Sequence, residues 1–509
     1  MIKKLTSTIP ELLQTAIEFH QNGQLIEART HYQRILLIQP DHFDAMHFLG
    51  VIAQQNGNAT EAITMIRHAI DSINGAFTVN HASAFCNLGA AYQDCSQPDS
   101  ALQSYLQAIE LKPDYAIAHN NLGNALKALG RHEDALQSFQ NALAYAPNYA
   151  EAYYNAGLLL LDNHQPEPAL RCFERAIEIK PTYADAFFAR GNVYQQEHLH
   201  EQAVRSFDQA LALKPSFAKA CLNRGISCNR LALYEQALRS FDLAIQYQPR
   251  YANAYFYKAN TLKQLHRIPD AVAAYQRAIE FGADAGQVSF ALAALGIGST
   301  PAAPPTGYIR ELFDQYAGHF DQHLVDVLHY AIPQHLAALV EKYRLRAQLV
   351  SIDLGCGTGL CGRYLRPYSA MLTGVDLSQN MLDKAAKLNV YDNLVCAELI
   401  DFLNSTLQPA DLLVAADVIV YLGDLSALFT SMHRALNQQG LACFSVEKSG
   451  SDQRPYLLQT SSRYAHSEAY LRTLAQQSGF AVIEINQLSG RQENQQKNQA
   501  LIVLLQKID

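Results

Sequence analysis

One short run holds the residue types best suited to chemistry: Val350-Ser-Ile-Asp353-Leu-Gly355-Cys-Gly357-Thr-Gly359. It reads as an apolar strand, an acid, three glycines at alternate positions and then a helix. Glycines so placed permit unusual backbone angles and let the main chain approach a ligand closely. Gly374-Val-Asp376-Leu-Ser follows, with Asp376 twenty-three residues after Asp353. A carboxylate there, at the end of a second strand, can accept hydrogen bonds from both hydroxyls of a ribose. Met381 lies on the next helix. The glycine pattern alone is also what a tight structural turn supplies. A dinucleotide fingerprint needs GxGxxG, and here the third glycine comes one residue too early for it.

These residues require a framework of strands that end at one edge. Short apolar segments at 349–354, 371–375, 393–397, 411–415, 441–446, 481–487 and 500–506 alternate with helical stretches. That alternation predicts a parallel α/β sheet, with the last two strands pairing through the polar loop 490–498. Just upstream, Ser299-Thr-Pro-Ala-Ala-Pro-Pro-Thr-Gly307 is the only Pro-dense stretch in the chain, and it predicts a short, semi-stiff linker. The expected organisation is an array over 9–298, a linker over 299–307 and an α/β domain over 308–509.

The combination of motifs resembles the class I S-adenosylmethionine-dependent methyltransferases, over roughly Tyr308 to Asp509. Asp353-Leu-Gly-Cys-Gly-Thr-Gly359 matches that family's first motif almost letter for letter. The resemblance implies a Rossmann-like, seven-stranded, mostly parallel sheet and S-adenosylmethionine as cofactor. It implies that Gly355 and Gly357 face the methionine part, with Asp353 anchoring its amino group through the loop. Asp376 would take the ribose hydroxyls, and Leu377 and Met381 would flank the adenine. Glu398, in Cys396-Ala-Glu-Leu399, would meet the adenine amino group, with Leu399 beside it among the cofactor-binding residues. Asp417 would sit beside the transferred methyl. The segment Tyr308 to Leu324, Val418-Ile-Val-Tyr421 and Arg463-Tyr464-Ala-His466 resemble a bacterial subgroup of repeat-containing methyltransferases.

Methyl transfer from a sulfonium is an in-line displacement, so the protein mainly aligns the acceptor and excludes water. A base is needed only where the acceptor must lose a proton. The fourth-strand sequence Ala415-Ala-Asp417-Val lacks the Asn-Pro-Pro-Tyr or Asp-Pro-Pro-Tyr pattern, which speaks against an amide or adenine nitrogen as acceptor. Acceptor-side candidates are Asp417, Tyr421 and His466 as catalytic groups, with Arg463 and Tyr464 as substrate-binding groups. His466 is either a base or substrate donor, or a satisfied structural histidine. Arg463 either holds a substrate carboxylate or is a surface charge. His319 and His323 fall on an amphipathic helix, in a lid or solvent role.

The first half of the chain is periodic. Pro113, Pro147, Pro181, Pro215 and Pro249 are each 34 residues apart. Gly89, Gly123, Gly157, Gly191 and Gly225 keep the same step, as do Ala101, Ala135, Ala169, Ala203, Ala237 and Ala271. An aromatic follows each of those alanines by four, on the same helical face. Five extra residues lie near 74–81. The spacings resemble the tetratricopeptide repeat, a pair of antiparallel helices, and imply about eight repeats over 9–285 plus a closing helix. Asn87, Asn121, Asn155 and Asn223 each fall two residues before a ladder glycine, and Ala189 breaks the series. The array is similar to that of O-GlcNAc transferase, where such asparagines line a groove. The resemblance implies a concave surface binding a protein or extended peptide. The alternative is that these asparagines are solvated polar residues multiplied by repeat duplication.

Composition limits the rest. The 509 residues are 49% hydrophobic and carry a net charge of −8, divided evenly on either side of Gly307. That balance argues against a chain built to grip phosphate backbones, so a nucleic-acid partner is not expected. Nine cysteines are scattered with no CxxC pair and no zinc-ligand spacing, so no metal is expected and the thiols suit a cytoplasmic setting. No apolar run follows Lys3 and Lys4, and none is long enough to span a bilayer. The sequence therefore points to a methyltransferase whose repeats bind a protein or peptide. The competing function is an interaction scaffold whose second domain has lost catalysis.

Overall fold

The computed structural model describes residues 8–305, 307, 309–310, 313–314, 331–344, 346–450, 453–493 and 496–508. The chain divides into two compact units, Met1–Tyr247 and Gln248–Asp509.

The first unit is a run of seven helix pairs, α1 (Ile9–Gln21) through α14 (Tyr234–Tyr247). Its ladders have a direct steric cause. A Cβ placed on Gly89, Gly123 or Gly157 would lie 2.6 Å from the ring of Tyr105, Phe139 or Phe173. Gly191 and Gly225 face Phe207 and Phe241 at 2.5 Å in the same way. All five rings are fully buried, so each glycine is a socket for the aromatic of its own helix B. Each helix B ends just before the ladder proline, as α6 (Pro98–Leu111) does before Pro113. The five extra residues form a wider connection that includes a 3-10 turn at Val79–His81, where Phe77 packs edge-on against Phe85 at 5.0 Å.

The second unit opens with the eighth pair, α15 (Ala252–Gln264) and α16 (Ile268–Glu280), and the closing helix α17 (Ala285–Ala294). The α/β part follows, with α18 (Ile332–Tyr343) leading into β1 (Leu349–Leu354). β2 (Ser369–Asp376), β3 (Asn393–Cys396), β4 (Ala410–Ala415) and β5 (Leu436–Lys448) are parallel to it. β8 (Phe480–Glu493) and β9 (Gln496–Lys507) form an antiparallel pair, with β9 antiparallel to β5. The order is β3-β2-β1-β4-β5, continued by β9 and β8. Both faces are covered. Leu354, Leu413, Phe429 and Phe444 belong to one apolar cluster, and Leu336, Leu372, Leu412 and Leu441 to another. Burial on both faces explains why these strands read as continuous apolar runs.

One difference from the sequence expectation stands out. The sheet has nine strands rather than seven among the described residues, because β6 (Tyr456–Leu458) and β7 (Tyr464–His466) form an extra hairpin paired to the end of β5. The Pro-rich segment is bonded into the second unit: the Ala302 carbonyl accepts from the N–H groups of Gly423 (2.8 Å) and Asp424 (3.1 Å). Phe290, Ala293 and Ala294 of α17 pack against Leu458 and Tyr464. No helix among the described residues is long and apolar enough to cross a membrane.

Candidate functional site

The site forms where the strand order reverses. β1 lies between β2 and β4, so the chain leaves its carboxyl end between diverging connections, where α/β sheets open a crevice. The glycine run crosses this crevice. Gly355, Gly357 and Gly359 all have positive φ, at 66°, 54° and 92°. A Cβ on Gly355 would lie 2.6 Å from Cβ of Val418, so both conformation and space demand glycine. The N–H groups of Gly355 and Cys356 donate to the Val375 carbonyl at 2.8 and 3.0 Å, which binds the loop to the end of β2.

Two buried carboxylates frame this loop. Asp376 accepts from the N–H of Gly357 (2.8 Å, Oδ2) and of Ser378 (2.9 Å, Oδ1). Burial pushes its carboxyl above the usual range, opposed by those two N–H donors. Asp353, fully buried, accepts from the Tyr391 hydroxyl through Oδ2 at 2.6 Å. Its Oδ1 is buried with no hydrogen-bond partner among the described residues. Burial pushes the Asp353 carboxyl up to about 7, with the Tyr391 hydroxyl opposing and the Asp376 charge adding to the rise.

A second polar group gathers after β4 and at the end of β5. Asp417 adopts φ 57°, a left-handed conformation that costs a non-glycine residue about 1–3 kcal/mol. Its Oδ1 accepts from Ser445 Oγ at 3.0 Å, and its own N–H donates to the same oxygen at 2.8 Å. Arg463 Nη1 lies 3.0 Å from Glu447 Oε1, and its guanidinium stands 5.7 Å from the Tyr421 ring centroid. Burial raises the pKa of both Asp417 and Tyr421, and the charge of Arg463 opposes it in each case. Phe313 meets the Tyr421 ring edge-on at 5.3 Å.

Comparison with known proteins agrees with both halves of this architecture. Residues 352–442 match the family described as a methyltransferase domain. Residues 94–130, 114–182, 154–216 and 230–288 match tetratricopeptide-repeat families. The chain joins tetratricopeptide repeats to a methyltransferase domain. Among curated relatives, a ubiquinone biosynthesis O-methyltransferase of Coxiella burnetii is 27% identical over 125 residues, covering 23% of this chain and 52% of that protein. A malonyl-[acyl-carrier protein] O-methyltransferase of Pseudescherichia vulneris is 31% identical over 113 residues, covering 22% and 45%. This chain thus spans about half the length of these two relatives. A solved structure titled YrrB, a TPR protein with an unusual peptide-binding site, is 26% identical over 34% of this chain and 89% of its own, with a TM-score of 0.30.

Within the methyltransferase domain, the residues expected from the sequence divide into two groups. Asp353, Gly355, Gly357 and Asp376 come together around the loop, and Asp417, Tyr421 and Arg463 gather after β4 and β5. Ser445 and Glu447 join the second group and were not among the sequence candidates. Their signal is two polar residues at i and i+2 that interrupt the apolar run from Leu441 to Val446 and end it, facing the same side.

The other candidates sit in packed or capping positions. Tyr464 is fully buried, its hydroxyl donates to the Pro301 carbonyl at 2.8 Å, and its ring packs near Phe290 at 6.3 Å. Its hydroxyl and ring are thus both engaged within the second unit. His466 is likewise fully buried, with Nε2 3.1 Å from the Gly423 carbonyl and its ring stacked on Tyr470. A carbonyl only accepts, so Nε2 carries the proton. Burial pushes this imidazole down to about 4, which suits a packed neutral ring better than a general base. Glu398 caps helix α21 (Leu399–Ser405), its Oε2 accepting from Ile400 N–H (2.8 Å) and Asp401 N–H (3.0 Å). Leu399 packs against the core beside it, Leu377 is half-buried, and Met381 is fully buried on helix α20 (Gln379–Ala386). His319 and His323 lie outside the described residues.

The four asparagines of the repeats are half-buried, and each amide has a partner on the preceding repeat. Asn87 Nδ2 meets His47 Nε2 at 3.0 Å, Asn155 donates to Asn120 Oδ1 at 3.0 Å, and Asn223 donates to Asn192 Oδ1 at 2.8 Å. Asn121 approaches Cys86 Sγ at 3.9 Å. The series therefore links successive repeats, rather than being merely solvated.

Proposed function

We propose that the second domain is an S-adenosylmethionine-dependent methyltransferase acting on an oxygen acceptor, and that the repeats bind a protein or peptide that brings the acceptor. The observation that carries this reading is the buried Asp353 carboxylate, whose Oδ1 lacks a partner among the described residues, beside a loop in which Gly355 and Gly359 have no room for a Cβ. A buried acceptor without a donor is costly, and a ligand ammonium supplies one. These residues fit the cofactor: Asp353 would hold its amino group, Gly355 and Gly357 would pass alongside the amino-acid part, and Asp376 would take the ribose. Asp376 already accepts two backbone N–H groups, and its carboxylate has further lone-pair sites for hydroxyls. When bound, the cofactor supplies an electrophilic methyl group.

This chain's residues do the positioning. The glycine loop keeps side chains out of one side of the crevice. Asp417 and Tyr421 stand after β4 on the other side, where a hydroxyl acceptor would lie. Burial keeps the Asp417 carboxyl a stronger base than an ordinary aspartate, so it can take a proton from a hydroxyl as the oxygen forms its new bond. Arg463 is paired with Glu447, so its part is to steady Asp417 and Tyr421. The oxygen acceptor is supported by the two O-methyltransferases among the relatives. The partner role of the array is supported by its repeat families. All nine cysteines are free, which fits a reducing cytoplasm.

The test is calorimetric titration of the full chain with S-adenosylhomocysteine. Micromolar binding with thermal stabilisation supports the reading. No heat and no stabilisation at about millimolar ligand would leave an interaction scaffold instead.

A further inference from the structure

Tyr391 carried no signal in the sequence, yet it occupies the centre of the loop's supporting layer. It stands just before β3, and its hydroxyl donates to Asp353 Oδ2 at 2.6 Å. Three glycines leave room for its ring. A Cβ on Gly359 would lie 3.1 Å from Cε2, one on Gly374 3.0 Å from Cδ1, and one on Gly362 2.5 Å from Cζ. These glycines come from the loop, the short helix after it and strand β2, so three elements have given up side chains around one phenol.

We infer that Tyr391 is a positioning residue for cofactor binding, holding the Asp353 carboxylate so that its unpartnered oxygen faces the ligand's amino group. The inference rests on the cofactor reading proposed above. Its physical content is that a buried carboxylate with one fixed oxygen cannot swing away, and that a hydroxyl donor favours the ionised form. The groups acting on Asp353 are Tyr391 from before β3, Asp376 from the end of β2, and the thiols of Cys356 and Cys361 from the loop and the helix after it. Tyr391 lowers the acid's pKa, whereas Asp376 and burial raise it. Only the ionised carboxylate attracts an ammonium, so affinity is lost as pH falls through the Asp353 pKa. Removing the hydroxyl moves that loss to higher pH.

The experiment is titration of the full chain with S-adenosylhomocysteine between about pH 5.5 and 8.5, for wild type and Tyr391→Phe. Wild-type affinity should rise with pH through about 7. Tyr391→Phe should shift that midpoint upward by about one pH unit, so that binding is roughly tenfold weaker near neutrality and recovers in alkali. An unchanged midpoint, or a loss of equal size at every pH, would make Tyr391 only a packed ring and overturn the inference. Should Tyr391→Phe fail to fold, Gly362→Ala serves in its place. Its methyl would press on the phenol, and it should give the same alkaline shift with the hydroxyl present. Wild-type chain that binds nothing at any pH would overturn the cofactor reading, and this inference with it. Wild type that binds while both variants match it would overturn the inference alone.

Discussion

Arg463 and Glu447 form an ion pair at 3.0 Å with side chains only 10% and 9% exposed. The pair joins the end of β5 to the turn before β7, and it decides how Arg463 should be understood. Its charge is answered within the chain, with Asp417 as a second acidic neighbour, so the pair fixes the guanidinium beside Asp417 and Tyr421.

Arg463→Leu should therefore be a stability mutation first. It leaves a buried Glu447 without its cation, a change that costs about 3–5 kcal/mol. Replacing both partners, as Arg463→Met with Glu447→Leu, should recover most of that loss. Chemical denaturation of the three proteins checks it. A single variant as stable as wild type would show that the pair contributes nothing.

Asp376→Ala should weaken S-adenosylhomocysteine binding at least about tenfold, through loss of charge-assisted hydrogen bonds. It should also lower the melting temperature of the domain. Two N–H groups, of Gly357 and Ser378, lose their acceptor and the loop loses its clamp to β2. Calorimetry and a melt on the same sample separate the two effects. Lost affinity at an unchanged melting temperature would mean that the clamp is dispensable.

Much of this was legible in the sequence because it is local. Glycine sockets and their aromatics recur at fixed spacing, and the central strands β1, β2, β4 and β5 contain apolar runs bounded by turns. The Asp353 loop and Asp376 follow directly from such runs. What the sequence hid is set by long-range contacts. Tyr464 and His466 looked like acceptor-side groups because of their types, but they lie on a three-residue strand whose packing partners, Pro301 and Gly423, are far away in the chain. Glu398 caps a helix through Oε2, a role set by the backbone that follows it. Tyr391 is invisible without the three glycines that surround it.

The Pro-rich stretch reads as a short, semi-stiff linker, and its backbone is engaged. The carbonyls of Pro301 and Ala302 accept from Tyr464, Gly423 and Asp424. A protease needs the chain extended and free of such bonds. Limited proteolysis of the native chain should therefore spare the bond between Pro301 and Ala302. Tyr464→Phe, which removes one anchor, should raise cleavage there. Rapid cutting at that bond in the wild type, read by mass spectrometry, would show that the segment is loose.

His47 makes the repeats sensitive to acid. It is 2% exposed, and burial pushes its imidazole down to about 4 from the ordinary 6.5. Below 6.5 the unfolded imidazole takes a proton that the folded one refuses until about 4, so stability is lost as pH falls across that window. The loss is on the order of 2–3 kcal/mol. Protonation also removes the ring nitrogen that accepts from Asn87. His47→Gln should flatten the fall between those pH values, measured by urea denaturation of the full chain. An equally steep fall in the variant would assign the acid sensitivity to other groups.

The asparagine series unites the stability and the partner questions, and one variant addresses both. Were Asn87, Asn121, Asn155 and Asn223 only solvated polar residues, changing all four to Ala would leave the melt almost unmoved. Their amides instead reach His47, Cys86, Asn120 and Asn192 on the preceding repeats. Each such bond contributes about 0.5–1.5 kcal/mol net. The Cys86 contact is the weakest, since thiol sulfur is a poor acceptor. The quadruple variant should therefore lose roughly 2–5 kcal/mol, with Asn121→Ala the mildest single change. It should also weaken a bound peptide or protein, because an amide fixed by its neighbour is preorganised to present its remaining polar atoms. To keep the two effects apart, binding should be measured well below the variant's melting temperature. It should also be compared with His47→Gln, which disturbs the Asn87 link and keeps every asparagine. Partner loss in the quadruple variant with retention in His47→Gln supports a recognition surface. Equal retention in both would limit the series to joining one repeat to the next.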